Sequence, residues 1–366
     1  GRGARGGGPG RHQPHGLRRR LRTGEGGAPR PRSSPVGMSF LRHRDHGRAQ
    51  RGADRLTPVP SDQVSGVMSL CALDPVCAVS LVQQMQRWSR WGRGDVVALG
   101  GLAQPVAAAW SVGSLMPFGL AGRPEHGLRA ADAGEIWALA EHAGPRLSRR
   151  GSVSGPAQDV AAVWGALSEQ GQRSRHERWR QPVLTAPHIG GGLVSAHLHR
   201  RPSQAWVGQS VRPARPDEEE LVLPASVDMF VGELDYDPTV DGPGYRRHVG
   251  WLIEQGRSYV VLDDGAGHPI RPGSPRAVAF KADVGALWRS PSGGVAQLTG
   301  VWTRPDLRGR GVGAAALAGV VDAVHRDHVG TDGVVSLYVN DYNAAALALY
   351  QSLGFRQVGM FATVLL

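Results

Sequence analysis

The residues best suited to chemistry lie in VWTRPDLRGRGVGAAALAGVV, residues 301–321. A β-branched run leads into Arg308, Gly309, Arg310, Gly311, Val312 and Gly313, and that turn opens directly into an Ala-rich helix. Free backbone amides at a helix start, the positive end of its dipole and two guanidinium groups together make a place for a phosphate or diphosphate. The glycines let such an anion approach the backbone. The competing reading is a surface turn whose glycines serve geometry only. GRGVGA also fits the loose dinucleotide fingerprint, but a Rossmann domain needs several further βα units and only 53 residues follow Gly313. No GK[ST] follows, which excludes a Walker loop. Downstream, Asn343 and Tyr350 stand seven residues apart, on one face of a helix and about 10 Å apart along its axis.

The elements that must position these groups are legible around them. SYVVLDD, AVAFKADVGALW and VAQLTGVWT read as three strands of an antiparallel meander. They are followed by a helix over 311–328, the strand VVSLYVN, a helix over 344–353 and the strand MFATVLL. Before them, VGQSVRPAR is a candidate first strand. PDEEELVLPASVDMFVGEL reads as a helical region with Asp217 as N-cap and a break expected at Pro224. GYRRHVGWLIEQGR is a further helix. Residues 67–205 read as helix, strands, helix, strand and helix, with Pro75 near a helix start. The stretch 171–204 loses periodicity and is expected to be a linker, with a boundary near 205. In it, His197 and His199 read as solvent-exposed because no Cys, Asp or Glu accompanies them. The expected fold class is α/β with mixed α+β sheets.

Fourteen arginines against four acids in residues 1–66 account for ten of the eleven net positive charges of the 366-residue chain. This leader, rich in Gly, Arg and Pro, is expected to be disordered. It starts with Gly, and Lys281 is the one lysine among 42 basic residues, so it reads as upstream sequence with Met38 or Met68 as the start. A functional arginine-rich arm binding nucleic acid is the weaker alternative. No apolar run reaches membrane-helix length, since 96–120 is interrupted by Gly100, Gly101, Pro105, Gly113 and Pro117. The first thirty residues lack a signal-peptide core. The expected location is the cytoplasm. Cys71 and Cys77 imply neither a disulfide framework nor a zinc site, and no metal is expected. GSVSG at 151–155 has Val153 where a nucleophile elbow needs Ser.

Arg308-Gly-Arg-Gly311-Val-Gly313 after a strand and before a helix matches the [RQ]xxGx[GA] signature of the GNAT superfamily of acyl-CoA-dependent N-acyltransferases. SLYVNDYNAAALALYQSLGF resembles a second block of that family at Val339, Asn343, Ala346, Leu349, Tyr350, Gly354 and Phe355. The resemblance covers residues 208–366 and implies a GNAT fold for 206–366. Residues 67–205 resemble a degenerate GNAT-like domain, with SVSGPAQDVAAVWGAL as a copy of the strand-turn-helix that lacks its basic residues. The whole chain resembles bacterial two-domain members in which a domain of unknown function comes first.

The resemblance implies acetyl-CoA as co-substrate. Val301 and Thr303 would offer backbone groups to the pantetheine arm. Trp302 stands between them and points to the opposite face, where ordinary packing is an equal alternative. Residues 309–313 with Arg308 and Arg310 would hold the diphosphate, and Asn343 would bond the arm, or serve only as a helix cap. Tyr350, protonated at neutral pH, would be the acid for the departing thiolate, the alternative being a core tyrosine. Glu233, with Asp235 and Asp237, falls where such enzymes place acceptor-binding or proton-accepting groups, or in a solvated loop. Gln297 cannot be a base. The expected activity is N-acetylation of a small-molecule or peptide amine. The alternative is a non-catalytic CoA-binding regulator.

Overall fold

The computed structural model describes residues 56–366 except 92–94 and 241, with the backbone alone at 88–91 and 234. Residues 1–55 lie outside the described residues. The arginine-rich arm, its nucleic-acid reading and Met38 fall there. The leader expected to reach residue 66 ends earlier. Leu56–Pro58 form strand β1, paired antiparallel with Val97–Leu99, and Val59 is buried beside it.

Helices α1 (Ser65–Cys71) and α2 (Pro75–Trp91) follow, then strands β2 (Val96–Leu99), β3 (Ala107–Trp110) and β4 (Met116–Phe118). Next come α3 (Ala133–Ala143), β5 (Ser152–Pro156), α4 (Ala157–Glu169) and β6 (His176–Thr185). Two short helices, α5 (Leu193–Arg200) and α6 (Ala205–Gln209), lead into the same series again. It runs β7 (Arg212–Pro213), α7 (Glu219–Leu234), α8 (Gly244–Glu254), β8 (Ser258–Asp263), β9 (Ala277–Ser290) and β10 (Gly293–Thr303), then α9 (Val312–Val324), β11 (Val334–Tyr338), α10 (Ala344–Ser352) and β12 (Arg356–Leu365). The order strand, two helices, three strands, helix, strand, helix, strand therefore occurs twice.

The two halves are interlocked through their sheets. β1 to β4 form one antiparallel sheet, and the other eight strands form a second in the order β5-β12-β6-β11-β10-β9-β8-β7. The last strand of each half is exchanged. β12 lies between β5 and β6, and β6 lies between β11 and β12, all antiparallel. The described residues form one compact unit, and one sheet takes strands from both sides of the boundary expected near 205. The stretch expected to be a linker holds β6 and α5. Its polar reading has a physical cause: of the ten residues of β6 only Gln181, Val183 and Leu184 are buried, and its first half carries exposed side chains on both faces. His197 is buried within α5 while His199 is exposed, which corrects the expectation for the first of the pair.

Local chemistry explains the remaining elements. Six consecutive buried residues make β8 an interior strand. Pro75 is the first residue of α2, where its missing N–H costs nothing. Pro224 does not break α7, because the carbonyl its ring leaves free belongs to Glu220 in the exposed first turn. Asp217 is not the cap expected there. The buried Glu218 carboxylate accepts the Arg215 amide (2.9 Å) and pairs with Arg212 at 2.7 Å and Arg276 at 3.3 Å. Cys71 is buried, Cys77 is half-buried, and both are free thiols. No described helix is long and apolar enough to cross a membrane.

Candidate active site

β10 and β11 run parallel and pair only at Val295–Gln297 against Val334–Ser336, after which they diverge and β10 continues to Thr303. The result is a wedge in the middle of the sheet. Its β10 wall has a bulge between Thr299 and Trp302, where Gly300 has φ 58°. Beyond the bulge Trp302 faces Lys281 of β9, and the Arg304 amide donates to the Ala279 carbonyl (3.0 Å). Strand alternation then turns the peptide groups of Val301 and Thr303 into the wedge, as expected. One of them is occupied: the Thr303 carbonyl accepts from Arg308 Nε at 3.0 Å. Trp302 itself is excluded from the cofactor groups. Its ring is buried in one apolar cluster with Val222, Val249 and Val260, and its Nε1 donates to Asp228 at 2.7 Å.

At the open end of the wedge, β10 passes through Pro305–Leu307 into the Arg-Gly turn. Gly309 (φ 73°) and Gly311 (φ 81°) take left-handed conformations that other residues resist, and Gly311 is the N-cap of α9. No described protein group accepts from the amides of residues 309–313. Arg308 and Arg310 flank them, exposed. A Cβ on Gly313 would lie 2.9 Å from both Leu349 Cδ1 and Thr303 Oγ1, so this glycine sets how closely α9 approaches β10 and α10. Behind the turn, Gln204 Nε2 donates to the Arg310 carbonyl (2.7 Å), and its Oε1 meets His197 Nε2 at 3.2 Å. Nothing in the sequence marks Gln204. The donor set fits a diphosphate: adjacent free amides, a helix N-terminus and two guanidiniums.

On the other side of the wedge stands α10. Asn343 is its N-cap, with Oδ1 accepting the Ala346 amide (3.1 Å), which leaves the exposed side-chain NH2 for any ligand. Tyr350 is buried, with its ring centroid 5.6 Å from that of Phe355. Its hydroxyl has no hydrogen-bond partner among the described residues. Burial raises the hydroxyl pKa, and the Glu233 carboxylate raises it further.

Glu233 lies in the last turn of α7 and not in a loop. Desolvation raises its carboxyl pKa, while Arg178 and then Lys281 pull it back in part. The residue itself is exposed. Its charge also raises Tyr245 and Tyr338. Among the described residues Glu233 makes no hydrogen bond to Tyr350, and its charge acts on the tyrosine through space. Asp235 and Asp237 do not act on it. Asp235 ends α7 with φ 62°, and Asp237 accepts from the amide and hydroxyl of Thr239 at 2.8 and 2.6 Å.

Beneath the Gly300 bulge is a pair that the motifs did not include. Lys281 Nζ meets Asp283 Oδ2 at 2.5 Å, Ser258 Oγ donates to Asp283 at 2.8 Å, and both charged residues are buried. A Cβ on Gly300 would lie 2.8 Å from the Asp283 carboxylate. The available signal was the single lysine inside the apolar strand AVAFKADV. Gln297, also buried, accepts from Ser80 Oγ of α2 (2.7 Å), while its Nε2 has no partner.

The corresponding place in the first half is filled. There the β4 strand leads to α3, and the amides of Gly119 and Ala121 donate to the Asp159 carboxylate at 2.8 and 2.7 Å. The α3 N-terminus is closed by the reciprocal Asp132 and Glu135 cap, and Glu135 also pairs with Arg129 at 2.7 Å. Backbone donors of the kind left free at 309–313 are here taken by the chain's own carboxylates. By element order, SVSGPAQDVAAVWGAL is β5 with α4, the counterpart of β11 with α10. It is not a copy of the Arg-Gly turn, which corrects that expectation. Among the described residues, no group of His, Cys, Asp and Glu could hold a metal ion.

Two repeated series, one with a splayed strand pair, a glycine turn and a helix, define an acyltransferase-type fold with one open wedge. Residues 243–355 match the acetyltransferase (GNAT) family, and residues 94–222 match a domain of unknown function, DUF4081. The chain therefore carries a GNAT acetyltransferase domain at its C-terminus and a DUF4081 domain before it. Glu233 falls between the two matched regions. No curated protein matches the chain. Among solved structures, a Drosophila protein is similar with a TM-score of 0.52 at 11% identity, over 85% of this chain and 98% of that one. A GNAT-family acetyltransferase from Colwellia psychrerythraea gives 0.44 at 11% identity, over 85% and 99%. A tandem GNAT protein from the clavulanic acid biosynthesis pathway gives 0.46 at 15% identity, over 85% and 98%. At these identities the likeness concerns the fold alone.

Proposed function

We propose that the chain transfers an acetyl group from acetyl-CoA to a primary amine by direct attack on the thioester, with Tyr350 as acid and Glu233 as proton acceptor. The observation that carries this reading is the wedge between β10 and β11, with the unpaired amides of residues 309–313 between two arginines at its open end and the buried Tyr350 on α10. Acetyl-CoA supplies the activated thioester carbon, and the amine nitrogen forms the new C–N bond as the C–S bond breaks.

The amides of residues 309–313 with Arg308 and Arg310 hold the diphosphate, and the peptide groups of Val301 with the Thr303 amide align the pantetheine arm as an added strand. Asn343 contributes its NH2 to that arm. Glu233 takes the proton that the amine loses, directly or through one water, because its raised pKa places it nearer neutrality. Tyr350 gives its proton to the leaving sulfur. A proton passed from Glu233 back to Tyr350 through water returns both groups to their starting state. The acceptor is a small-molecule or peptide amine, the setting is the cytoplasm of a bacterium, and no metal takes part.

The reading is tested by incubating the full chain with acetyl-CoA and a panel of metabolite amines, peptides with free N-termini and lysine peptides. Acetylated product detected by mass spectrometry, absent in Tyr350→Phe, is the expected result. Tight acetyl-CoA binding without product in any class would favour the non-catalytic CoA-binding alternative.

A further inference from the structure

Strand β6 belongs to the first half of the chain, yet it lies between β11 and β12 of the second. It carries Arg178 to the C-terminal end of α7, where Nη2 donates to the Glu233 carbonyl at 2.5 Å. The last carbonyls of a helix lack intrahelical partners, and a guanidinium is suited to both the hydrogen bond and the negative dipole end. Arg178 has no carboxylate within ion-pair distance among the described residues. Its Nε is buried with no acceptor, an arrangement that native folds avoid.

We propose that Arg178 is a positioning residue that fixes the end of α7 and with it Glu233, so that the DUF4081 half completes the catalytic site of the GNAT half. The proposal rests on Glu233 being the proton acceptor. It gives the first half a task that does not need a cofactor, in keeping with the closed state of its own β4 and α3 site. Arg178 contributes in two ways. Its hydrogen bond fixes the end of α7, and its charge opposes the desolvation that raises the Glu233 carboxyl. The other groups whose charges act on Glu233, or on which it acts, are Lys281 of β9, Tyr245 of α8, Tyr338 of β11 and Tyr350 of α10. Of these, Lys281 is held by Asp283, so Arg178 is the nearby cation not already committed to a carboxylate.

The test uses the full chain with 13C-labelled glutamate, following the Glu233 carboxyl by NMR, its resonance assigned by its loss in Glu233→Gln. In Arg178→Gln the Glu233 titration is expected to move to higher pH, and in Arg178→Lys to return towards wild type. Acetyl-CoA binding, measured by calorimetry on each variant, is expected to stay within about twofold, since Arg178 touches no cofactor group. A Glu233 titration unchanged in Arg178→Gln would overturn the proposal. So would a shift that Arg178→Lys fails to reverse, or a loss of acetyl-CoA binding in both variants, which would mark Arg178 as a general structural support. Wild-type protein that binds no acetyl-CoA, with the Arg178 variants still moving the Glu233 titration, would instead defeat the acetyltransferase reading and leave only the Arg178–Glu233 coupling, without its catalytic purpose.

Discussion

Tyr350 of α10 is buried, and the carboxylate of Glu233, in the last turn of α7, raises the pKa of its hydroxyl through space. An acid and a proton acceptor so coupled can serve the two ends of one acyl transfer. Tyr350→Phe removes the acid and leaves the ring against Phe355, so kcat should fall by about 10²-fold or more while acetyl-CoA affinity stays within twofold. Steady-state kinetics beside calorimetry would check this. An unchanged kcat would remove Tyr350 from the mechanism.

The pH dependence has a definite sign. Desolvation keeps Glu233 protonated to higher pH than an ordinary glutamate, and a protonated carboxyl accepts nothing. Activity should therefore rise with pH along a limb above the usual glutamate range, and Glu233→Gln should abolish that limb together with most of kcat/KM. The Tyr350 hydroxyl is raised and stays protonated throughout the neutral range, so no alkaline limb from it is expected below pH ~10. A pH–rate profile on both proteins reads both statements.

The buried pair beneath the bulge makes a stability prediction. Lys281→Met leaves Asp283 buried and charged without its cation, which should destabilise the fold by about 3–5 kcal/mol. Adding Asp283→Leu to that variant should restore much of the loss, because two buried charges are then replaced together. Urea denaturation of the three proteins would show it. Equal losses in the single and double variants would mean that packing matters here and charge does not.

Most of the second half was legible in the sequence because its strands are interior and its turns are glycine-marked. SYVVLD reads as a strand since every side chain is buried, and the Arg-Gly turn reads as an anion site because its chemistry is local. β6 was not legible. Its neighbours come from the other end of the chain, and HERWR has no alternating burial to betray pairing. The leader boundary was missed for a similar reason: Leu56–Pro58 is three residues long, and long-range pairing with β2 makes it a strand. At the site, Lys281 was visible as an isolated cation in an apolar run, while Gln204 acts through a contact 106 residues away that no local pattern encodes.

Strand exchange has its own consequence. Residues 206–366 alone lack β6, so β11 and β12 would lose the strand that joins them, exposing two edges. That fragment should fail to give a cooperative thermal transition or should aggregate. Co-expression with residues 56–205 should rescue it. Circular dichroism and size-exclusion chromatography would decide, and a soluble, cooperatively folding 206–366 would show that the exchange is dispensable.

The most direct test of the central claim is calorimetric titration of the full chain with acetyl-CoA, beside an Arg308→Ala, Arg310→Ala double variant. The open wedge and the self-closed first half together call for one site per chain, with affinity weakened tenfold or more in the double variant. Two sites, no binding to wild type, or equal binding to both proteins would contradict the account.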